Sequence, residues 1–249
     1  MPAEPSSPKI IAHRGACLRA PENTLPAFQL AVEEGADGFE LDAKLTRDGE
    51  VVVMHDATVD RTTDGSGTVS EFTLAEFKRL DAGSKFNPSI TGIHPPTLRE
   101  VFENIGADTI VNVELTDYLH PMNRLVERVT DVVAACGMEN RVFFSSFLPG
   151  RLKRVRQLMP KAPRALLAMA GIPGALAKSA NACCMRNPWF NPHHTLVTND
   201  MIEKAERRSQ KLMVWTVNDP DEAIRLAQCG VMGLLTDDPA LLVQALRAK

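Results

Sequence analysis

Short runs of apolar, strand-favouring residues alternate along the chain with amphipathic stretches of helical period. The runs are Lys9–His13, Gly38–Thr46, Thr109–Leu115, Val142–Phe147, Arg164–Ala168, His194–Val197, Lys211–Val217 and Gly233–Thr236. Most are apolar at successive positions, the pattern of strands buried on both faces in a parallel sheet. Between them, apolar residues recur at helical spacing over Asn23–Glu34, where Leu25, Phe28, Ala31 and Val32 share a face. The same period returns near Thr97–Ile105, Asn123–Cys136, Gly150–Met159, Pro173–Ala182, Asp200–Ser209, Pro220–Gln228 and Pro239–Ala248. Eight strands alternating with eight helices predict an α/β protein, a (β/α)8 TIM barrel closed by right-handed crossovers. An open doubly wound sheet is the rival. It usually carries a glycine-rich first turn, whereas the turn here reads His13-Arg14-Gly15-Ala16-Cys17.

One stretch breaks the alternation. Arg47-Asp48-Gly49-Glu50 separates two β runs, and Asp-Gly in that setting signals a hairpin into Val51–Asp56. A short helix over Leu74–Leu80 follows before Pro95-Pro96. Residues 47–96 therefore read as a small insertion after the second strand, within one barrel domain spanning 1–249. Removing roughly fifty inserted residues and the short tail before Lys9 leaves about 190 for eight βα units, where ~250 is common, so most loops must be short. A small, open, polar pocket follows from that.

Composition narrows the function. The 249 residues carry 28 Lys and Arg against 31 Asp and Glu, a net charge of -3, which gives no general attraction to nucleic acid or anionic membrane. Five cysteines, with no Cys-x-x-Cys, fit a reducing, cytoplasmic setting better than a disulfide framework or a zinc site. Met1–Lys9 lacks the pattern of a signal peptide. The uncharged run Ala165–Ala177 is broken by Gly171, Pro173 and Gly174 and is too short to span a bilayer.

In a barrel the site lies where strands end. The first run ends in His13-Arg14, the second contains Glu40 and Asp42, the third contains Glu114, and the inserted hairpin ends in His55-Asp56. A lone carboxylate in a strand is usually a rim charge. Glu40 and Asp42, two apart, share one face of a buried strand, where like charges repel and a divalent cation would relieve them. A hard cation on Glu40, Asp42 and Glu114 can polarise a phosphate oxygen, Arg14 can bond the same phosphate, and two histidines can serve as general base and general acid. His94, His120, His193 and His194 read as structural.

Taken in order, several runs resemble the glycerophosphodiester phosphodiesterase family. They are His13-Arg14-Gly15, Pro21-Glu22-Asn23-Thr24, Glu40-Leu41-Asp42, Thr46-Arg47-Asp48-Gly49, His55-Asp56 and Arg61-Thr62-Thr63. Asp81-Ala82-Gly83-Ser84, Asn112-Val113-Glu114, Ser145-Ser146-Phe147, Val214–Asn218 and Thr236-Asp237 continue the likeness to about residue 247. The resemblance is to compact cytosolic bacterial members. It implies a phospholipase C-like TIM barrel, a divalent metal (Mg²⁺ or Ca²⁺) on Glu40, Asp42 and Glu114, His13 and His55 as the acid/base pair, and Arg14 as a phosphate ligand. It also implies a small glycerophosphodiester as substrate and sn-glycerol 3-phosphate as product. Trp215 matches an aromatic near the substrate, with barrel packing as its other reading. Asn23 or Thr24 reads as the cap of the first helix, Asp237 as that of the last.

The chain departs from the family where many members carry a lysine two residues after the third ligand: here Thr116 stands. Lys85, in place of an aromatic after Asp81–Ser84, is a candidate to supply some of the lost positive charge, with a solvated loop lysine as its other reading. Two other functions stay open, a lysophospholipase D-like activity, for which Met169–Ile172 could offer apolar surface, and a binding protein that has lost catalysis.

Overall fold

The computed structural model describes residues 7–169, 171 and 189–247. Its strands are β1 (Lys9–Ala12), β2 (Gly38–Leu45), β3 (Val51–Val53), β4 (Ile110–Leu115), β5 (Val142–Ser146), β6 (Arg164–Ala168), β7 (Trp189–Pro192), β8 (Lys211–Val214) and β9 (Gly233–Thr236). Eight of them pair in parallel around a circle that closes through β9–β1 and β1–β2, so the barrel has no open edge. The remaining strand, β3, lies antiparallel on the far end of β2.

Helices fill the intervals: α1 (Leu25–Glu33), α2 (Leu74–Phe77), α3 (Gly83–Phe86), α4 (Leu98–Glu103), α5 (Leu125–Ala135), α6 (Pro149–Leu158), α7 (Asn199–Arg207), α8 (Pro220–Gln228) and α9 (Pro239–Arg247). Local chemistry starts several of them. Thr97 and Glu100 form a capping box at α4, and Asp219 accepts from Asp221 N and Glu222 N at α8, ahead of Pro220.

Strand alternation sorts the side chains. Phe39, Leu41, Val111, Val113 and Phe144 point outward and pack with α1, α4 and α5, while Leu166, Phe190, Val214 and Leu234 pack outward against the later helices. Inward, Ile11, Phe143, Ala165, Met213 and Leu235 form an apolar floor with Trp189 and Ile110 against it. The next inward residue along the eight strands is His13, Glu40, Asn112, Ser145, Leu167, Asn191, Trp215 or Asp237. One step of two residues thus carries the interior from an apolar plug to a polar layer at the strands' C-terminal ends.

Two strand expectations are corrected. The run His194–Val197 is not a strand: β7 lies earlier, at Trp189–Pro192, and His194–Leu196 forms a single 3₁₀ turn. Pro192 offers no N–H to extend β7, and His193 Nδ1 accepts from Thr195 N to start the turn. The run Lys211–Val217 stops as a strand at Val214. The helix expected near Pro173–Ala182 falls outside the described residues.

Between β3 and α4 the chain builds its own small core from Val52, Met54, Val59, Val69, Phe77 and Leu80. Among the described residues no helix is long and apolar enough to cross a membrane.

Gly38 sets how closely β2 approaches β4. A Cβ there would lie 2.0 Å from the Ile110 carbonyl oxygen. Gly38→Ala is expected to lower unfolding free energy by at least about 2 kcal/mol, read from urea denaturation. Unchanged stability would mean that the two strands can separate at this point without loss.

Candidate active site

The register of β2 on β4 places Glu40 opposite Asn112 and Asp42 opposite Glu114. One oxygen from each of Glu40, Asp42 and Glu114 can be chosen so that all lie within 4.8 Å of one another. Glu40 and Asp42 are buried, and Glu40 Oε1 is a buried acceptor without a hydrogen-bond partner among the described residues. Burial, then the charges of Asp42 and Glu114, holds the Glu40 carboxyl well above its ordinary value. Burial and then Asp42 push Glu114 up to about 8, against the Tyr118 hydroxyl, Arg14 and Lys44. Three hard oxygen donors that crowd one another, one of them unpartnered, are what a divalent cation fits; nothing in the donor set suits a soft metal.

Neighbouring groups orient this cluster. Arg14 follows β1 in a left-handed conformation (φ 57°) and donates its backbone N–H to Glu40 Oε2 at 3.0 Å. Its guanidinium lies 3.4 Å from Asp42 Oδ2 and donates to Glu22 Oε1 at 3.0 Å. Gly15, next in line, also has positive φ (84°), and a Cβ on it would strike the Ala27 backbone at 2.6 Å, so the turn presses His13-Arg14 against α1. Asn23, also left-handed, donates Nδ2 to Asp42 Oδ2 at 2.8 Å. Its side chain therefore serves Asp42 rather than α1. Thr24 is the α1 cap residue by position only, because its hydroxyl donates to Pro21 O.

The two histidines have matching supports. His13 Nδ1 lies 2.7 Å from Asp237 Oδ1, and His55 Nδ1 lies 2.6 Å from Asp56 Oδ1. Burial works to raise the Asp237 carboxyl, yet His13, Asn218 and Cys17 together bring it down to about 2. The hydrogen bond from Arg61 is the main cause that lowers Asp56, also to about 2. Both carboxylates are thus ionised acceptors. Each Nδ1 carries the proton, which leaves Nε2 as the basic nitrogen. Asp237 was expected to cap the last helix. Asp238 does so, accepting from Leu241 N, while Asn218 holds Asp237 from both its side-chain amide and its carbonyl oxygen. Cys17 Sγ lies 3.4 Å from Asp237, with its thiol pKa pushed up by burial, so it acts as a neutral donor.

A chain of ion pairs ties the insertion to the barrel. Arg61 donates to both oxygens of Glu22, at 2.6 and 2.8 Å, and to Asp56 Oδ2 at 2.6 Å. Glu22 also receives Arg14. The sequence Asp42–Arg14–Glu22–Arg61–Asp56–His55 is therefore continuous.

Around the rest of the mouth stand aromatics. Tyr118 donates its hydroxyl to Glu114 Oε1 at 2.7 Å. Its ring meets Phe147 at 5.9 Å, and Phe147 meets Trp215 at 5.6 Å, both edge to face. Trp215 Nε1 donates to Asn191 O, so the indole both packs and is fixed in direction. Lys85 sits on the insertion, where it lines a cavity with Cys17, Glu22, Arg61 and Phe86. The buried cation beside Thr116 is Lys44, two residues past Asp42 on the same face of β2, donating to Thr116 O at 3.0 Å and Oγ1 at 3.1 Å. Tyr118, Asn23, Asp56, Arg61, Lys44 and Asp237 are the site groups that residue spacing alone did not assign. All but Tyr118 and Lys44 lie inside the motif runs.

Three comparisons agree with this arrangement. Residues 13–241 match the model of the glycerophosphoryl diester phosphodiesterase family. A glycerophosphodiester phosphodiesterase of Caldanaerobacter subterraneus subsp. tengcongensis is 40% identical over 241 residues, 96% of this chain and 97% of that one. A phosphodiesterase of Oleispira antarctica, solved with the product sn-glycerol-3-phosphate, superposes with a TM-score of 0.87 at 29% identity, covering 97% of this chain and 98% of that one. A glycerophosphodiester phosphodiesterase of Agrobacterium tumefaciens gives 0.81 at 29%, covering 94% and 98%.

Folding raises the Glu114 carboxyl from its ordinary 4.5 to about 8, so between those values the folded chain holds a proton the unfolded chain has released. Stability of cation-free protein from this group accordingly falls as pH rises through that window. In EDTA, melting temperature measured from pH 5 to pH 8 is expected to fall more steeply for the unaltered protein than for Glu114→Gln. Added Mg²⁺ should raise it at the alkaline end in the unaltered protein only. Parallel curves for the two proteins would show that the carboxylates do not repel one another as described.

Proposed function

Because the chain belongs to the glycerophosphoryl diester phosphodiesterase family and is a phosphoric diester hydrolase, we propose that it converts glycerophosphodiesters to sn-glycerol 3-phosphate and an alcohol with His13 and His55 as its acid/base pair. The observation that carries this reading is the pair of histidine–aspartate dyads, one directly after β1 beside Arg14 and one from the insertion, the latter joined to the carboxylate cluster through Arg61, Glu22 and Arg14. Product-bound Oleispira antarctica phosphodiesterase, alike along nearly its whole length, supports the choice of product.

Glu40, Asp42 and Glu114 would hold a divalent cation, Mg²⁺ or Ca²⁺. When bound, that ion supplies Lewis-acid polarisation of a phosphoryl oxygen. The remaining work falls to the chain. Arg14, clamped between Glu22 and Asp42, offers its guanidinium to the phosphodiester and fixes its direction. One histidine takes the proton of the attacking oxygen through Nε2 as the P–O bond forms. The other protonates the leaving alkoxide as the second P–O bond breaks. Asp237 and Asp56 hold the rings and stabilise each imidazolium in turn. Lys44, anchored by Thr116, supplies the buried positive charge beside the cluster, where Thr116 itself has none. Trp215 closes one wall of the pocket.

Residues 47–96 act in this reading as an insertion within one barrel domain, delivering His55. The substrate is a small molecule. Free Cys17, Cys136 and Cys229 support a cytoplasmic setting.

Release of glycerol 3-phosphate from glycerophosphocholine, glycerophosphoethanolamine and glycerophosphoglycerol tests the function directly. His13→Ala and His55→Ala are each expected to cost at least ~10²-fold in kcat. Asp237→Asn and Asp56→Asn, which keep the shape but lose the charge, should each cost about 10- to 100-fold. A near-normal rate in either alanine variant removes that histidine from the acid/base pair.

A further inference from the structure

The net charge of -3 conceals an uneven division along the chain. Between Glu139 and Asp200 the sequence holds nine of the 28 Lys and Arg and none of the 31 Asp and Glu. The formal charge is therefore +9 over these 60 residues and -12 over the rest. Such a separation, in a chain of ordinary overall charge, points to an anionic contact on the side that carries the cations.

The structure gathers most of these cations on α6 and the turn into β6. The inner side of α6 buries Leu152 and Val155 in the barrel's outer cores. Arg151 is buried with them, its guanidinium on the carbonyl oxygens of Asp117 and His120. The outer side, with the turn that follows, exposes Lys153, Arg154, Arg156 and Lys161. Arg154 pairs with Glu127 on α5. Lys153, Arg156 and Lys161 have no carboxylate partner among the described residues. Lys153 and Arg156, three apart, share a helix face. Burial, and then the charge of Arg156, lowers the Arg164 guanidinium at the start of β6, so like charges stand together here without relief. On α7, by contrast, Lys204 pairs with Asp200 and Arg207 with Glu203.

We propose that this outer face of α6 docks reversibly on an anionic phospholipid surface. Its four exposed cations reach the lower end of the ~4–8 at which basic clusters bind anionic headgroups. The apolar side of α6 stays in the barrel, so the attachment is electrostatic and involves no insertion of the helix. No exposed side chain from Lys153 to Lys161 is aromatic, and Gln157 is the one neutral hydrogen-bonding group among them. The face therefore offers nucleic acid neither a stacking platform nor a set of base-reading groups. Substrate chemistry favours a lipid surface too, and that part rests on the phosphodiesterase reading above. A glycerophosphodiester is what remains of a glycerophospholipid once both acyl esters are hydrolysed, so the class of reaction that supplies it works where lipids are. None of the four cations belongs to the carboxylate site, and the docked enzyme still takes its substrate from water.

Co-sedimentation with vesicles tests the proposal, using phosphatidylcholine alone and phosphatidylcholine with about one third phosphatidylglycerol. The unaltered protein is expected to sediment with the anionic vesicles only, and to be released as NaCl is raised. Lys153→Gln with Arg156→Gln and Lys161→Gln should weaken that binding at least about tenfold. Lys204→Gln with Arg207→Gln should leave it unchanged. Thermal unfolding by circular dichroism and glycerophosphocholine turnover in solution are expected to match the unaltered protein in both variants, which shows that they fold. Absence of binding to anionic vesicles, equal binding to neutral ones, equal loss in both variants, or tighter binding to an RNA or DNA duplex than to the vesicles overturns the proposal. Unaltered protein that binds anionic vesicles through α6 but releases no glycerol 3-phosphate overturns the phosphodiesterase reading alone.

Discussion

Repulsion among Glu40, Asp42 and Glu114 is the constraint around which the rest of the molecule is arranged. Two of the carboxylates share a face of β2, and the third is brought beside Asp42 by the β2–β4 register. Their burial makes the repulsion strong, since water is no longer there to screen it. The chain answers with Arg14, whose left-handed backbone turns both its N–H and its guanidinium towards the cluster, and with Asn23 and Tyr118 as neutral donors. These partners offset only part of the charge. The Glu114 carboxyl is still pushed up to about 8, and Glu40 keeps one oxygen without a partner among the described residues. A divalent cation held as proposed would complete what these partners leave undone.

Barrel and insertion divide the work in the proposed mechanism. The barrel supplies the carboxylates, Arg14 and His13 on rigid strand ends. The insertion, with its own apolar core, supplies His55. A histidine carried on an excursion of about fifty residues would be poorly placed without a tie to the barrel. Arg61 is that tie, joining Asp56 to Glu22 and, through Arg14, to Asp42. The same ion pairs thus hold the charge balance of the cluster and the position of the second histidine.

Much of this was legible from period and spacing. Glu40 and Asp42, two apart in a strand, announce a shared face, and the alternation of strands and helices announces a barrel. Asp237 was visible as a residue but not as the partner of His13, because 224 positions separate them and only closure of β9 onto β1 brings them together. It therefore read as a helix cap, which its neighbour Asp238 turned out to be. Asn23 misled for a related reason: a polar residue before a helix reads as a cap, and its left-handed backbone, which aims it at Asp42, leaves no trace in spacing. Lys44 was hidden by position, since a lysine at the end of a strand looks like a solvated rim charge until Thr116 is seen to hold it. The seventh barrel strand was misplaced because Trp189–Pro192 is short and ends in proline, while His194–Val197, with the β-branched Thr195 and Val197, follows closely.

The most direct test of the account is a crystal structure of protein soaked with Mn²⁺ and sn-glycerol 3-phosphate, with anomalous scattering used to locate the metal. The account predicts one anomalous peak among Glu40, Asp42 and Glu114, a phosphate oxygen bound to it, Arg14 on the same phosphate, and the Nε2 atoms of His13 and His55 facing phosphorus from opposite sides. A metal bound elsewhere, or a phosphate with both histidines on one side, would contradict it.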